Sequence, residues 1–448
     1  MAPTRVAAVD MGATSVRVAV VDLAADRPEI DVLHRWSHGP ESRPDGSVRW
    51  RWGELLDNVR LGLERARASG PLASIGIDGW AVDYGLLDED GALLSDPYSY
   101  RSPRTKGWRL VAESLGDAEL YRRTGIQLMP INTIFQLAAH DRAELARARR
   151  LVMLPELVAY ELTGEVVGER SNVATTGLID VATGDWAADL ASAIGIDPQI
   201  LPRPERAGRL LGEHDGTPVH LVAAHDTACA FAASPLDTTG RAFVSAGTWF
   251  IVGVERDAAD TSERARAANF SNEVGALGGF RFLKNVAGFW LLERCAADWG
   301  VTARDLLDLA ARARGAPVFD VGDERFLAPA RMEDEVRAAA GLGPDASRGV
   351  VARSVVESVA AAVARALDEL RGQSIQVAEV AVVGGGAASS FVLDRIAHHA
   401  GVRVVPGATE ATALGNALLQ GIALGRFDDL SDGRRWLRAG APPAASST

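Results

Sequence analysis

Cysteine is nearly missing from this 448-residue chain: there are two, Cys229 and Cys295, with no CxxC pair or other metal-ligand spacing. That excludes a cysteine-built metal site of the usual spacing and leaves two reduced, buried small hydrophobes. An excess of positive charge is missing too. The formal net charge of −12 argues against a polyanionic partner such as nucleic acid, although backbone amides can still bind a small phosphate ligand. No uncharged apolar run approaches membrane-spanning length, and Asp10 interrupts the opening MAPTRVAAVD before a signal-type apolar region could form. A cytoplasmic location is expected. The P-loop spacing GxxxxGK(S/T) is absent, which disfavours a Walker-type nucleotide site.

What is there suits two domains of ordinary size rather than one core. Val6 to Asp10 reads as a strand, residues 11–15 as a small-residue turn, and Val16 to Val21 as a returning strand. The pattern returns at Ala242 to Val254, around Ala246-Gly247-Thr248, which suggests an internal duplication. Between these units, Trp52 to Ala68 has helical apolar spacing at Leu55, Leu56, Val59, Leu61 and Leu63, and Ser354 to Leu370 is an Ala-rich amphipathic helix. Strands alternating with helices predict an α/β fold. The turn-like Ser234-Pro235-Leu236-Asp237 suggests domains over 1–235 and 236–438, closely apposed across a cleft, and the Pro-rich residues 439–448 read as a disordered tail.

Four segments could carry chemistry. In Asp10-x-Gly12-x-Thr14-Ser15-x-Arg17, backbone amides and hydroxyls could face phosphate, Arg17 adds positive charge, and Asp10 could hold Mg²⁺; an ordinary hairpin with a solvated Arg is the plain alternative. In Ala224-His225-Asp226-Thr227-Ala228, Asp226 either caps the helix behind it or serves as a general base. Val382-Val383 running into Gly384-Gly385-Gly386 is a strand-to-helix turn that could admit a nucleotide to the backbone, or a turn and nothing more. After the strand Ser74 to Asp78, Trp80 and Asp83 have the composition of a sugar site, and equally that of a core indole beside a turn-capping acid.

Together these segments resemble the FGGY carbohydrate kinases, within which the pattern is most similar to the rhamnulokinase branch. The stretches that carry the resemblance are SIGIDGWAVDYGLLDEDG (74–91), YRSPRT (100–105), GIQLMPINTIFQL (125–137), AAHDTA (223–228), SAGTW (245–249), FLKNVAGFWLLE (282–293) and EATALGNAL (410–418). They run in order along nearly the whole chain. The resemblance implies the two-domain actin/hexokinase/Hsp70-like ATPase fold with an interdomain cleft. It also implies transfer of the ATP γ-phosphoryl group to the 1-hydroxyl of L-rhamnulose, with Mg²⁺. Carried over position by position, it implies Asp226 as proton acceptor and Asp10 as the acid that organises the metal. Nucleotide contacts would come from Ala13, Thr14, Ser15, Val16, Arg17, Thr248, Glu293, Gly384, Gly385 and Gly386. Sugar contacts would come from Trp80, Ala81, Asp83, His225, Asp226, Thr227 and Asn285.

Three positions depart from the family pattern. Ala81 replaces a sugar-contacting glycine, Glu293 stands where a glutamine is usual, and Ala387-Ala388-Ser389 follows the triple glycine in place of a Gln-Asn pair. The same chemistry on L-fuculose or a pentulose is the nearest alternative. A non-enzymatic nucleotide switch of actin or chaperone type is the alternative from another class, and the His-Asp-Thr setting of Asp226 speaks against it.

Overall fold

The computed structural model describes residues 3–235 and 240–439. Each half builds one six-stranded sheet. In the first, β1 (Arg5–Met11), β2 (Ser15–Asp22), β3 (Ile30–Ser37), β4 (Ser74–Gly79), β5 (Leu210–His214) and β6 (Thr217–His220) stand in the order β5-β6-β4-β1-β2-β3. In the second, β7 (Arg241–Ala246), β8 (Trp249–Arg256), β9 (Ser271–Val274), β10 (Phe280–Ala287), β11 (Glu379–Val383) and β12 (Arg403–Pro406) stand in the order β9-β10-β8-β7-β11-β12. β1, β2 and β3 pair antiparallel, and β4 and β6 then run parallel beside β1. β7, β8 and β10 pair antiparallel, and β11 and β12 run parallel beside β7. The same five-strand pattern thus occurs twice, with β5 and β9 as the unmatched edge strands. This is the α/β, two-domain architecture with the internal repeat that the two hairpins predict.

Helices fill the space around the sheets: α1 (Trp52–Ala68), α2 (Asp226–Ala232), α3 (Trp290–Trp299), α4 (Arg348–Gly372), α5 (Ser390–Ala400) and α6 (Ala411–Ala423). α1 has the expected bounds, but Leu61 points outward, and Gly62 takes its place against Val18. α4 starts earlier than its apolar pattern predicts, because the Ser347 side chain caps it by accepting from the Val350 amide. The triple glycine leads into a short 3₁₀ turn, Gly385–Ala388, before α5 begins behind Ser389.

The halves are joined through α2 and α6, which cross each other, while α6 lies against β1 and β4. Gly76 makes this possible: a Cβ there would sit 2.5 Å from the Asn416 Oδ1 and 2.8 Å from the Gln420 Nε2. In the space it leaves, Asn416 Nδ2 donates to Asp78 Oδ2 at 2.6 Å and Gln420 Nε2 donates to the Ala7 carbonyl at 3.0 Å. Buried amides of the last third of the chain therefore satisfy polar groups of the first sheet. Both cysteines are fully buried, as expected. Among the described residues no helix is long and apolar enough to cross a membrane. The expected boundary turn runs into residues 236–239, and the expected tail into 440–448, which lie outside the described residues.

Candidate active site

The two hairpins meet across a cavity of about 190 Å³. The first hairpin, β1–β2, turns through Gly12 to Thr14, closed by the Gly12 amide donating to the Ser15 carbonyl at 3.0 Å. The second, β7–β8, turns through Gly247 and Thr248, closed by the Gly247 amide donating to the Trp249 carbonyl at 3.1 Å. Asp10, Ala13, Thr14 and Arg17 line the cavity from the first hairpin, Thr248 from the second, and Gly384 and Gly385 from the turn after β11. Trp80, Ala81, His225, Asp226, Thr227 and Asn285 complete the wall. Thirteen of the eighteen site residues expected from sequence share this one space.

The other five lie elsewhere. Val16 is in the core with its side chain fully buried. Ser15 and Glu293 face a neighbouring groove between β3 and α3. Gly386 packs against Ala246, where a Cβ would approach that residue's own Cβ to 2.5 Å. Asp83 lies beneath the wall rather than in it. It is completely buried; Oδ2 accepts from Trp50 Nε1 at 2.7 Å and Trp80 Nε1 at 3.0 Å, and Oδ1 accepts from Gln136 Nε2 at 3.1 Å. All its nearby donors are protein groups, so this carboxylate orients two indoles and offers a ligand no free oxygen. Burial pushes its pKa up to about 6, and the two indoles and Gln136 hold it back.

Val82 explains why this loop is so firmly held. It has φ +71°, the left-handed region, which costs a β-branched residue of the order of 1–3 kcal/mol. Its carbonyl accepts from Thr133 Oγ1 at 2.8 Å and Gln136 Nε2 at 3.1 Å. Those two bonds clamp the conformation that turns Trp80 and Ala81 toward the cavity.

Asp226 is the first residue of α2, directly after His225, and its Oδ1 accepts an amide of the helix's own first turn, that of Thr227. Oδ1 gathers every neighbour: the Thr227 amide at 2.5 Å, Thr227 Oγ1 at 3.1 Å and His225 Nε2 at 3.3 Å. No donor among the described residues reaches Oδ2, and the side chain keeps 26 % exposure. Burial, and after it the neighbouring Asp10 charge, raise the Asp226 pKa to about 7 against the pull of Thr227.

Asp10 is 2 % exposed, and its Oδ2 has no hydrogen-bond partner, although Arg17 Nη1 stands 3.4 Å away. Oδ1 of Asp78 is similarly orphaned. Among the described residues no group of three or more metal-type side chains comes together. An orphaned carboxylate oxygen beside a polar cavity fits Mg²⁺, which takes one or two protein carboxylates and fills its remaining positions with water and phosphate.

Residues that sequence reading passed over matter here. Gln127 Oε1 accepts from the Asn285 amide at 2.8 Å and Asn285 Nδ2 at 3.0 Å, fixing Asn285 across the two halves. Glu410 accepts from Arg17 at 2.8 Å and Arg35 at 2.6 Å. Gln127 lies inside a quoted motif and Glu410 opens another, but nothing in their spacing reveals these partners.

The N-terminal domain model of the FGGY family of carbohydrate kinases matches residues 6–221, and the C-terminal domain model matches 242–424. A rhamnulokinase of Klebsiella pneumoniae (strain 342) is 36 % identical over 97 % of this chain and 92 % of its own length. In fold, the chain is similar to a ligand-bound xylulose kinase of Lactobacillus acidophilus, with TM-score 0.77 at 18 % identity over 96 % of this chain and 92 % of the other. It is also similar to Plasmodium falciparum glycerol kinase with ADP, with TM-score 0.73 at 15 % identity over 98 % and 93 %. With both domain models matched in order around one shared cleft, the chain belongs to the FGGY family of carbohydrate kinases, phosphotransferases that act on an alcohol group.

Proposed function

We propose that this kinase transfers the γ-phosphoryl group of ATP to the 1-hydroxyl of L-rhamnulose, giving L-rhamnulose 1-phosphate and ADP. The observation that carries the chemistry is Asp226: one carboxylate oxygen saturated by protein donors, the other free, in the same cavity as both hairpin tips. The identity to rhamnulokinase along nearly the whole chain supports the choice of sugar.

In this reading the sugar binds to the half of the chain spanning 1–235, against Trp80, Ala81 and Thr227, with Asn285 reaching over from the other half. The nucleotide binds largely to 236–438, through Thr248, Gly384 and Gly385, with Thr14 and Arg17 facing its phosphates. The 1-hydroxyl attacks the γ-phosphorus in line while its proton passes to Asp226 Oδ2. The P–O bond to the β-phosphate breaks, and ADP leaves. Such a transfer needs positioning and charge neutralisation more than covalent help. Mg²⁺, held by Asp10 directly or through water, supplies part of that neutralisation when bound. Arg17, whose Nη1 donates to Glu410 at 2.8 Å, supplies fixed charge.

A ketose panel assayed for ADP release tests the reading. L-rhamnulose should give a larger kcat/KM than L-fuculose, D-xylulose or glycerol. A clearly larger value for one of those would overturn the sugar and leave the kinase chemistry standing. ATP consumption indifferent to every sugar would overturn both.

A further inference from the structure

Among the described residues Arg281 is the largest charged side chain sealed inside this protein, fully buried at 0 % exposure. Its place in the sequence does not single it out, since an arginine within a strand usually snorkels to water. Here it sits one layer behind the proposed base. Its Nε donates to the Val274 carbonyl at 3.1 Å, and its Nη2 donates to the Ser171 carbonyl at 3.4 Å and to His225 Nδ1 at 3.2 Å. Glu273 Oε2 stands 3.2 Å from Nη1 and balances the charge.

The contact with His225 decides a proton. A guanidinium has donors and no acceptor, so the ring nitrogen it faces must present a lone pair. Nδ1 is therefore unprotonated, and a neutral ring carries its hydrogen on Nε2. Nε2 is the atom 3.3 Å from Asp226 Oδ1. Glu273 Oε2, 3.5 Å from Nδ1, would favour a second proton there, but the arginine already occupies that side, and burial together with the Arg281 charge disfavours the imidazolium. The charged groups around the ring are thus Arg281, Glu273 and Asp226, with Glu169 one step further, anchored by the Ala224 and Ser171 amides at 2.9 Å each.

We infer that Arg281 is a positioning residue for phosphoryl transfer: it locks His225 as the Nε2–H tautomer, which holds Oδ1 of Asp226 and leaves Oδ2 as the oxygen that takes the sugar proton. This rests on the reading of Asp226 as the base. It also adds to the role of His225 in the cavity wall, since each of its ring nitrogens has a protein neighbour, Arg281 at Nδ1 and Asp226 at Nε2.

The direct test is the ring-nitrogen spectrum of His225 in the intact, isotope-labelled protein, assigned by its loss in His225→Gln. Nδ1 should resonate as a pyridine-type nitrogen and Nε2 as a pyrrole-type one, unchanged from pH 6 to 8. A protonated Nδ1 would overturn the inference whatever Asp226 does. Removing the charge pair together, Arg281→Met with Glu273→Gln, avoids stranding a buried carboxylate. In that variant the ring should show mixed tautomers or titrate within this range. Its kcat should fall ~10- to 100-fold, the scale of a misplaced catalytic group, with KM for ATP little changed. Glu273→Gln alone should keep the tautomer. A double variant that folds, keeps the Nε2–H form and keeps its kcat would sink the proposal. The failure of the base reading looks different: the native tautomer as stated, but full turnover in Asp226→Asn.

Discussion

The hydroxyl oxygens of Thr14 and Thr248 lie 3.3 Å apart although the residues are 234 positions apart in the chain. Each is the tip hydroxyl of its own hairpin, so the two halves of the duplicated fold touch at equivalent points, and a phosphate held between the hairpins has both hydroxyls at hand. Hydrogen bonds to a charged group contribute about 1.5–3 kcal/mol, or roughly 10- to 100-fold. Thr14→Val and Thr248→Val should each lower kcat/KM for ATP by about that factor, while KM for the sugar stays nearly constant. Because the two hydroxyls are neighbours, the double variant should lose less than the product of the single losses. Steady-state kinetics of the four proteins would show this, and strict multiplicativity would mean that the two tips act on separate groups.

Asp226→Asn keeps the size of the side chain and removes the proton acceptor. kcat should fall by roughly 10²-fold or more, the range of general-base contributions, with binding of an ATP analogue little altered. Since the asparagine side chain keeps an oxygen that can accept from the Thr227 amide as Oδ1 does, the variant should remain folded by circular dichroism. A folded variant with near-native kcat would assign the base elsewhere.

The acidity of Asp226 sets a pH dependence. With the carboxyl raised to about 7, it is protonated and inactive as a base below that value and ionised above it. kcat/KM for the sugar should therefore rise tenfold per pH unit on the acid side and level off above about pH 7. His225 adds no step, because burial and Arg281 hold its pKa well below the usual value. Glu169, also pushed up to about 7 by burial, titrates nearby. The residual activity of Asp226→Asn separates the two: the limb should vanish if Asp226 is its source and persist if Glu169 is.

What could be read from sequence follows a physical rule. The hairpins, α1 and the strand Ser74–Gly79 were legible because they are local: apolar alternation or helical spacing bounded by small residues. The cavity residues were legible where a family pattern names them. Asp83 was misplaced because composition alone cannot say which side of an indole a carboxylate occupies; the structure puts it on the inner side, bonded to two ring nitrogens. Arg281, Glu169, Glu156 and Asn416 were invisible, since a charged or amide residue in a strand or helix looks solvated until its partner, tens to hundreds of positions away, is known. Glu156 shows the point: its oxygens accept from the Glu169 amide at 3.0 Å and Asn172 Nδ2 at 2.7 Å, in a site with no exposure to speak of.

Gly415 offers a test of how the two halves are coupled to the proposed base, Asp226. It lies on α6 where that helix crosses α2, and a Cβ there would sit 1.8 Å from the Cys229 carbonyl oxygen and 2.5 Å from its carbon. Those are backbone atoms of the helix that begins with Asp226, so no side-chain rotation can relieve the overlap. Two effects compete in Gly415→Ala. Alanine is the better helix former by about 1 kcal/mol, while forcing apart a close-packed contact costs typically 1–3 kcal/mol and sometimes more. With overlap this deep against main chain, the second should win. The melting temperature should fall by several degrees, at roughly 2–4 °C per kcal/mol for a domain of this size, and kcat should fall because α2 moves. Gly53 in α1 supplies the control: a Cβ there would meet nothing within 4 Å, so Gly53→Ala should leave kcat unchanged and the melting temperature equal or higher. If Gly415→Ala instead melts with the native protein and turns over normally, the helix crossing is looser than its geometry says, and the base does not depend on it.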